Sequence, residues 1–312
     1  MDSERSHILI TGANGFIGRH LDEPLLAAGA RVSRLARSTP LLGYAEGDWH
    51  ILDLTDRLKV AEVFADLQPN YVIHLASSKD RSSNVVQFAD IYQTNISMSL
   101  NVIEACRALK NFRRLVCLGT CDEYGLTQSP YDETQKGAPT TAYGLSKLSI
   151  SQILTSLYHS HRFPSVVLRP TVVYGPGQGE EMFLPALIRS LLAGKEFAMT
   201  AGEQLRDFIY IDDVVDAIAK AIAADDQVNG EVINIGMGVS YSIKEIADLV
   251  AGSISPASYE LIRLGAVQYR PNEMMGYSVA IARAQSLLGW TSSTSLENGI
   301  RQTVAKYRSF YA

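Results

Sequence analysis

Three residues in two short stretches have the types and spacing needed for proton transfer. Tyr143 and Lys147 stand four positions apart in "YGLSK", so on a helix they share one face. A tyrosine hydroxyl with a pKa of about 10 is a poor acid at neutral pH, but a neighbouring ammonium stabilises the phenolate. Tyr143 could then exchange a proton with a substrate oxygen that Thr120, at the end of the strand-like "RRLVCLG", also binds.

The residues after Thr120 could support a second kind of chemistry, the elimination of water. Cys121, Asp122 and Glu123 follow it directly. Elimination of water needs a general acid and a general base at the substrate, whereas reduction of a ketone needs one proton donor beside the hydride. A thiol is a weak general acid unless its surroundings tune it. We therefore predict catalysis by Thr120, Tyr143 and Lys147, with the acids shaping the pocket or the strand end.

A glycine-rich turn provides a site for a dinucleotide. Gly12, Gly15 and Gly18 lie in "TGANGFIG", which follows the strand-like "HILI" and opens a helix-like segment. Glycine lets the backbone turn tightly and approach a pyrophosphate, and a helix N-terminus offers free N–H groups. The spacing is G-x-x-G-x-x-G rather than G-x-G-x-x-G. The strand–turn–helix context nevertheless favours cofactor binding over a simple turn.

The next strand-like run, "RVSRLARS", indicates which dinucleotide binds. An NAD site normally carries Asp or Glu at the end of the second strand, but the expected position here is Ala36, followed by Arg37. A guanidinium can pair with a 2′-phosphate, which favours NADP(H), with NAD as the alternative. Arg34 and Arg37 could instead only solvate a strand end. Asp53 is a candidate for the adenine edge or for a helix N-cap.

These residues must be held together by a sheet. Strand-like runs alternate with amphipathic helical segments over the first half of the chain, which specifies a parallel sheet covered on both faces. We predict an α/β, doubly wound, Rossmann-like fold whose ligands bind at the carboxyl ends of the strands. The predicted strands cover residues 7–10, 31–36, 49–52, 71–76, 113–119 and 165–170, and the predicted long helices cover 88–109 and 142–159.

The pattern changes after Pro170. Residues 174–182 read as a Gly/Pro-rich loop, and helices at 183–194, 212–224 and 242–252 surround a strand at 231–236. We predict an NADP(H)-binding domain over 1–170, to which later segments return. The remainder, 171–312, is predicted to be mainly a smaller, interleaved substrate lobe.

Composition argues against several classes of protein. The 312 residues carry a net charge of −5, which gives no sign of nucleic-acid binding, and no apolar run approaches the ~20 residues of a membrane span. The acidic start of the chain leads into a strand, unlike a signal peptide. Cys106, Cys117 and Cys121 have no metal-ligand spacing. We therefore expect a reduced, cytoplasmic protein without a metal, a nucleic-acid partner or a membrane partner.

Taken together, the motifs resemble those of the extended short-chain dehydrogenase/reductase family, specifically its nucleotide-sugar epimerases, dehydratases and reductases. The resemblance covers nearly the whole chain. It rests on "TGANGFIG" (11–18), "HLAS" (74–77), "TNI" (94–96), "TCDEYG" (120–125), "YGLSK" (143–147), "RPTVVYGPG" (169–177), "GEQLRDFIYIDDV" (202–214), "NIG" (234–236), "RPNEM" (270–274) and "LLGW" (287–290).

This resemblance implies a set of site residues and partners. Thr120, Tyr143 and Lys147 become the catalytic set, with Lys147 also holding the nicotinamide ribose. Cofactor contacts are implied for Gly12, Asn14, Gly15, Phe16, Ile17, Gly18, Asp53, Leu54, Leu75, Ala76, Ser77, Asn95, Pro170, Val172 and Val173. Contacts to a nucleotide-diphosphate sugar are implied for Lys79, Thr120, Cys121, Asp122, Arg206, Arg270 and Glu273. The arginines suit a diphosphate because the guanidinium offers a fork of donors. A homodimer through the helices at 88–109 and from residue 142 is also implied.

The second half is most similar to 4-ketoreductases of nucleotide-linked deoxysugars, of the CDP-abequose synthase type, which implies NADPH-dependent reduction of the C4 ketone of a 6-deoxy or 3,6-dideoxy sugar. Alternatives stay open: an NAD-retaining 4-epimerase, a 4,6-dehydratase, or a dehydratase across C5–C6 that uses a Cys-plus-acid pair. Family dehydratases typically read T-D-E-x-Y, whereas Cys121 and Asp122 follow the threonine here. Val172 replaces a frequent Asn, which leaves the substrate pose open. The presence of Tyr143 and Lys147 disfavours a binding protein without turnover.

Overall fold

The computed structural model describes residues 6–40, 47–79, 85–270 and 273–311. Residues 271 and 272 of the predicted "RPNEM" substrate motif lie outside these ranges. The strands are β1 (His7–Thr11), β2 (Arg31–Ala36), β3 (Asp48–Ile51), β4 (Tyr71–His74), β5 (Arg114–Leu118), β6 (Ser165–Pro170), β7 (Val172–Tyr174), β8 (Phe197–Ala198), β9 (Leu205–Arg206), β10 (Phe208–Tyr210), β11 (Val232–Ile235), β12 (Tyr241–Ser242) and β13 (Ile262–Arg263). The α-helices are α1 (Phe16–Ala27), α2 (Arg57–Leu67), α3 (Val85–Arg107), α4 (Ala142–His161), α5 (Phe183–Leu192), α6 (Ile211–Ala223), α7 (Ile243–Ile254), α8 (Ala282–Leu288) and α9 (Leu296–Tyr311).

The central sheet of the described chain has seven strands in the order β3-β2-β1-β4-β5-β6-β11, and every neighbouring pair is parallel. The chain runs outward from β1 to β3 and then returns to the other side of β1 with β4. The prediction of a doubly wound parallel sheet is therefore confirmed. The reversal between β1 and β4 creates the crevice where such sheets bind ligands.

Helices cover both faces of the sheet because successive side chains of each strand point to opposite sides. Ile8 and Ile10 of β1 pack in the core that includes residues of α1, α5 and α6. Leu9, between them, packs in the second core with residues of α2, α3 and α4. All five residues of β1 and of β5 are buried, which explains why these strands read as continuous apolar runs.

The second half of the chain contributes to two regions. Strand β11 joins the central sheet beside β6, and α6 packs against α1. Helices α5, α7 and α9 pack on one another. The short pairs β7–β10 and β9–β12 lie in the segments that carry the predicted substrate residues. The boundary at residue 170 remains a prediction.

Element boundaries differ from the sequence-based ones by a few residues. The predicted helix at 88–109 runs over Val85–Arg107, and the predicted strand at 49–52 runs over Asp48–Ile51. The sequence-based prediction did not include α8, α9 or the two-residue strands. In the described ranges, no helix is long and apolar enough to cross a membrane, and no cluster of three metal-ligand side chains occurs.

Candidate functional site

The glycine-rich turn joins β1 to α1 at the reversal point of the sheet. Gly12 has φ of +69°, and a Cβ on it would lie 2.7 Å from the backbone N of Ala76 in the loop after β4. A Cβ on Gly18 would lie 2.6 Å from the carbonyl oxygen of Ala13. These contacts explain both glycines: the first lets two loops meet, and the second lets α1 pack on the turn.

The start of α1 has features that fit a dinucleotide. Gly15 is the N-cap and offers no side chain to the first N–H groups of the helix, which belong to Phe16, Ile17 and Gly18. The side-chain Oδ1 of Asn14 in the same turn is buried without a hydrogen-bond partner. Free helix N–H groups favour a pyrophosphate, and a bound cofactor could satisfy Asn14. These residues would hold the pyrophosphate end of NAD or NADP.

The loop after β4 is tied to two other elements. Thr11 on β1 bonds His74 through Oγ1 and Nδ1 at 2.8 Å, and His74 Nε2 lies 3.0 Å from Ser99 Oγ on α3. Burial, together with the charge of Lys147, lowers the pKa of His74 to about 3. The imidazole is therefore neutral, and its two nitrogens fix the relative positions of β1, β4 and α3.

Asn95 links this loop to the helix that carries Tyr143. Its Oδ1 accepts from the backbone N–H of Ser78 at 2.7 Å, and its Nδ2 donates to Ser146 Oγ at 2.9 Å. Asn95 is almost wholly buried. Leu75, Ala76 and Ser77 precede Ser78 in the same half-buried loop. Asn95 thus ties this loop to α4 through hydrogen bonds within the protein.

Lys147 is a buried cation near the site. Its Nζ donates to the carbonyl oxygen of Leu118 at 2.7 Å and lies 6.0 Å from the centre of the Tyr143 ring. Burial lowers the pKa of Lys147, while the charges of Cys117 and Glu123 oppose that effect. Tyr143 itself is half-buried on the same face of α4. The predicted i,i+4 pairing of a cation with a phenol is therefore present.

Thr120 follows β5 and caps a short 3₁₀ helix, Cys121–Glu123. Its Oγ1 accepts from the backbone N–H of Asp122 at 3.2 Å, and its own N–H donates to Glu123 at 3.0 Å. Glu123 faces inward to Arg169 and Ser151, at 2.7 Å from each. A Cβ on Gly144 would lie 2.8 Å from the carbonyl oxygen of Asp122, so glycine lets α4 approach this turn closely. Thr120 and Tyr143 therefore lie on adjoining elements.

The end of β2 carries the predicted adenosine-binding residues. Arg37 is exposed directly after Ala36, the last residue of β2. Asp53 accepts from the N–H and the hydroxyl of Thr55, which hold its pKa below the ordinary value, and the Arg37 guanidinium contributes in the same direction. Leu54 beside it is buried. A cation and a carboxylate thus lie near each other at the end of β2.

Two sequence-based alternatives at this end of the sheet were wrong. Arg34 does not solvate the strand end: it is 4% exposed and pairs with Asp22 of α1 at 2.8 Å. Asp53 is not a helix N-cap, because Asp56 caps α2 by accepting from the N–H of Lys59. Both side chains could be assigned only after the positions of α1 and α2 were known.

The predicted substrate residues are brought together in part. Arg206 on β9 donates to Glu273 at 2.6 Å and lies over the ring of Tyr277 at 5.3 Å. Arg270 is exposed, and its carbonyl oxygen accepts from the N–H of Glu273 at 3.1 Å. Lys79 is exposed in the loop after β4, and its charge acts on Lys147. Arg206 and Glu273 therefore form one unit.

Pro170, Val172 and Val173 run from β6 into β7. Pro170 is buried at the end of β6, and the two valines are partly buried. Val172 packs against the cluster formed by Cys121 and the tyrosines 124, 131 and 277. The stretch therefore lies between the sheet edge and the residues that follow Thr120.

Cys121 and Asp122 face the predicted substrate lobe. Burial raises the pKa of the Tyr131 hydroxyl to about 12 and that of the Tyr277 hydroxyl well above its ordinary value. The negative charges of Cys121 and Asp122 raise both pKa values further. Cys121 belongs to one buried cluster with Tyr131 and Tyr277. Cys121 is buried and Asp122 half-buried. The turn after Thr120 therefore lies between α4 and the Arg206–Glu273 pair.

A comparison with protein-family models decides the family. The model described as "NAD dependent epimerase/dehydratase family" matches residues 8–236, nearly three quarters of the chain. The chain belongs to this family. The resemblance inferred from the motifs is confirmed, as is the prediction of an NAD(P)-dependent enzyme of the short-chain dehydrogenase/reductase type.

Individual members of the epimerase/dehydratase family are similar over nearly their whole length. A dTDP-glucose 4,6-dehydratase of Neisseria gonorrhoeae is 27% identical, with 97% of this chain and 96% of that protein covered. A CDP-abequose synthase of Salmonella typhimurium is also 27% identical, with 97% and 98% covered. Both a dehydratase and a deoxysugar synthase are thus equally similar, so identity alone does not choose between them.

Solved structures of family members share the fold. The UDP-glucose 4-epimerase of Thermotoga maritima, with UDP-glucose, has a TM-score of 0.89 at 26% identity, with 98% of this chain and all of that chain covered. MoeE5 in complex with UDP-glucose and NAD has a TM-score of 0.85 at 27% identity, with the same coverage. These neighbours bind nucleotide sugars, and the second binds NAD.

Sequence reasoning missed several residues that organise this epimerase/dehydratase site. Asp207 accepts from the N–H groups of Met237 and Gly238 at 2.9 and 3.0 Å, and burial raises its pKa to about 6. An acid inside the apolar run "RDFIY" was a usable signal, because buried carboxylates need several donors. Tyr131 and Tyr277 lie 146 positions apart, and no sequence signal joined them.

Proposed function

We propose that this chain transfers hydride at C4 of a nucleotide-diphosphate sugar, with Tyr143 exchanging the proton of the C4 oxygen. The observation that carries the proposal is the buried Lys147 held against Leu118 with its cation beside the Tyr143 ring. An ammonium in that place favours the phenolate and brings the pKa of the phenol closer to neutrality. Bound NAD or NADP would accept or donate the hydride at C4.

The remaining groups have distinct tasks in this proposal. Thr120 Oγ1 orients the C4 oxygen toward Tyr143. Arg206, with its planar fork of donors, binds the diphosphate, and Glu273 keeps the guanidinium in place. Asn95 holds the loop at 75–78 against α4. This contact fixes the distance between the loop, where the cofactor would bind, and Tyr143.

Net reduction of a C4 ketone, with NADPH as donor, is the outcome that the sequence favours. Arg37 at the exposed end of β2 supports it, because a cation follows the position where NAD sites carry an acid. The similarity to a CDP-abequose synthase agrees with it. The nearby Asp53 carboxylate acts in the opposite direction, because a negative charge repels a 2′-phosphate.

Elimination of water, with NAD retained, is the outcome that the geometry favours. A reductase needs one proton donor, yet Cys121 and Asp122 both face the side of the site that carries Arg206 and Tyr277. A C4 carbonyl acidifies the C5 proton. Asp122 would remove that proton while Cys121 donates one to the departing C6 hydroxyl, which leaves as water. Return of the hydride to C6 and of a proton to C5 of the resulting alkene would then restore NAD. An epimerase would need neither residue.

One experiment separates these outcomes. The purified protein is denatured and its released dinucleotide identified, and the native protein is then given two substrates in turn. The first is an NDP-4-keto-6-deoxysugar with NADPH, and the second is an unmodified NDP-hexose without added coenzyme. Reduction predicts NADPH oxidation with the first. Elimination predicts retained NAD and a product 18 mass units lighter from the second. The absence of NADPH oxidation, of a lighter product and of a C4 epimer across a broad panel of nucleotides and sugars contradicts the proposal.

We also propose a homodimer through α3 and α4, as the family resemblance implies. Tyr92, Leu100, Ile153 and Leu157 on these helices keep part of their apolar surface exposed in the single chain. None of the three cysteines forms a disulfide, which agrees with a reducing compartment. Light scattering on a size-exclusion column tests the dimer, and Leu100→Glu should shift the mass toward that of one chain.

A further inference from the structure

The Asp207 carboxylate is a junction at which three other segments of the chain meet, and the residue is 0% exposed. Its Oδ1 accepts from the N–H of Met237 at 2.9 Å and from the hydroxyl of Thr171 at 3.3 Å. Its Oδ2 accepts from the N–H of Gly238 at 3.0 Å and from that of Val279 at 3.4 Å. Both oxygens are therefore used to hold protein segments together.

Gly236 lies where the segments of this junction approach one another. A Cβ on Gly236 would lie 2.6 Å from Val279 Cγ2, 2.8 Å from Thr171 Cγ2 and 2.9 Å from Asp207 Oδ2. An added methyl group would have to displace at least one of them. The glycine thus lets the segments close around the carboxylate, and this packing is independent of the hydrogen bonds.

Two of the joined segments leave the central sheet at the edge where ligands of such sheets bind. Thr171 directly follows β6, and Met237 comes two residues after the end of β11. The two strands are parallel neighbours, so both segments start from carboxyl ends. The carbonyl oxygen of Asp207 also accepts from the N–H of Val172 at 3.0 Å. The junction is therefore fixed to the sheet through its main chain as well.

The remaining parts of the junction carry the proposed diphosphate site. Arg206 directly precedes Asp207, donates to Glu273 at 2.6 Å and lies 5.3 Å from the centre of the Tyr277 ring. Tyr277 comes two residues before Val279, whose N–H bonds the carboxylate. The backbone of the arginine and the backbone of the ring beneath it are thus both held by the same side chain.

We propose that Asp207 is a positioning residue that fixes Arg206 and Tyr277 relative to the carboxyl ends of β6 and β11. The binding of a diphosphate by Arg206 rests on the proposed function, whereas the junction itself does not. Because Asp207 is fully buried, it acts on a bound nucleotide only through the guanidinium that follows its position. In Asp207→Asn an amide nitrogen replaces one oxygen and cannot accept an N–H, so at least one segment is released.

The first test measures binding and needs no turnover. The full chain is titrated calorimetrically with uridine, thymidine and cytidine diphosphate, and the tightest of the three is used as the probe. Asp207→Asn should weaken its binding about tenfold or more, because residues of one hydrogen-bonded network are energetically coupled. Unchanged binding in this variant would overturn the proposal.

Asp213→Asn is the matched control. Asp213 is 2% exposed and accepts from the N–H groups of Ser293 and Thr294 at 2.9 and 3.2 Å, so it joins α6 to the segment before α9. This variant should lower the midpoint of urea unfolding but leave the affinity for the probe within about a factor of two. Equal losses of affinity in both variants would assign Asp207 a merely structural role and overturn the proposal.

A double-mutant cycle tests the route of the effect. In an Arg206→Ala background, Asp207→Asn should weaken binding less than about twofold further, because the guanidinium on which it acts is gone. Losses that multiply independently would overturn the coupling. If Asp207→Asn does not fold, Thr171→Val, which removes one donor, decides in its place. It should weaken binding about two- to threefold alone and leave it unchanged in the Arg206→Ala background.

The same measurements separate this inference from the proposed function. Unchanged affinity in Arg206→Ala would remove the arginine from the diphosphate site, so the proposed role of Arg206 and this inference would both fail. A loss in Arg206→Ala without a loss in Asp207→Asn would overturn this inference alone.

Discussion

Glu123 and Arg169 form an ion pair of 2.7 Å that is almost wholly buried, with the carboxylate side chain 0% and the guanidinium side chain 6% exposed. Glu123 also accepts from the Thr120 N–H and from Ser151 Oγ, so its oxygens are occupied by the protein. The acid that completes "TCDE" is therefore committed to holding Thr120 in place. Asp122, one residue earlier, is only half-buried, and its charge acts on Tyr131 and Tyr277.

Substituting Glu123→Gln should destabilise the fold strongly. The variant leaves the buried Arg169 cation without a counter-charge, and removal of one partner of a buried pair typically costs about 3–5 kcal/mol. The free energy of unfolding from urea denaturation measures the effect. Glu104→Gln, in an exposed pair with Arg57, is the control and should leave the midpoint unchanged. Equal midpoints for the two variants would show that the buried pair is not a structural anchor.

Tyr143→Phe should lower kcat by ~10²-fold or more while dinucleotide binding is kept, because the variant loses the exchangeable proton but not the ring. Steady-state kinetics and titration with the dinucleotide measure the two properties separately. Tyr158→Phe on the same helix, away from the site, serves as the control. Near-normal turnover of Tyr143→Phe would contradict the role given to this hydroxyl.

Arg37→Ala should weaken binding of NADP⁺ about tenfold or more and leave NAD⁺ binding within a factor of two. A hydrogen bond to a charged group is worth about 1.5–3 kcal/mol, and only NADP⁺ carries the 2′-phosphate. Calorimetric titration of both dinucleotides gives the ratio. A parallel loss for both, or no loss for either, would remove Arg37 as a selectivity residue; Lys59→Ala on α2 controls for a general loss of positive charge.

The buried His74 predicts a pH dependence of stability. Its pKa lies at about 3 in the folded chain and near 6.5 when unfolded, so folding excludes a proton that the unfolded chain binds. Stability from this group is full above pH 6.5 and is lost as the pH falls toward 3, by about 1.4 kcal/mol per pH unit.

The measurement is the difference in unfolding free energy between the wild type and His74→Gln at several pH values. That difference should shrink as the pH falls below 6.5. Asp207 acts in the opposite direction, since burial raises its pKa to about 6, but it is present in both proteins and cancels. Parallel curves for the two proteins would contradict a neutral, buried His74.

The fold could be inferred from the sequence because its signals are local. The alternation of apolar strands with amphipathic helices specified the doubly wound sheet, and "TGANGFIG" specified the turn between β1 and α1. Tyr143 and Lys147 are four residues apart on one helix, so their proximity follows from helix geometry and requires no knowledge of the rest of the chain.

Which of the two acids after Cys121 is fully buried was decided only by the tertiary structure. Asp122 and Glu123 are adjacent and chemically alike, yet Glu123 turns inward because Arg169 of β6 lies beside β5. Arg34 is buried whereas Arg37 is exposed for a similar reason, because Asp22 of α1 pairs with Arg34 and not with Arg37. The stack of Tyr124, Tyr131 and Tyr277 joins three distant segments, and such contacts depend on packing that no local pattern encodes.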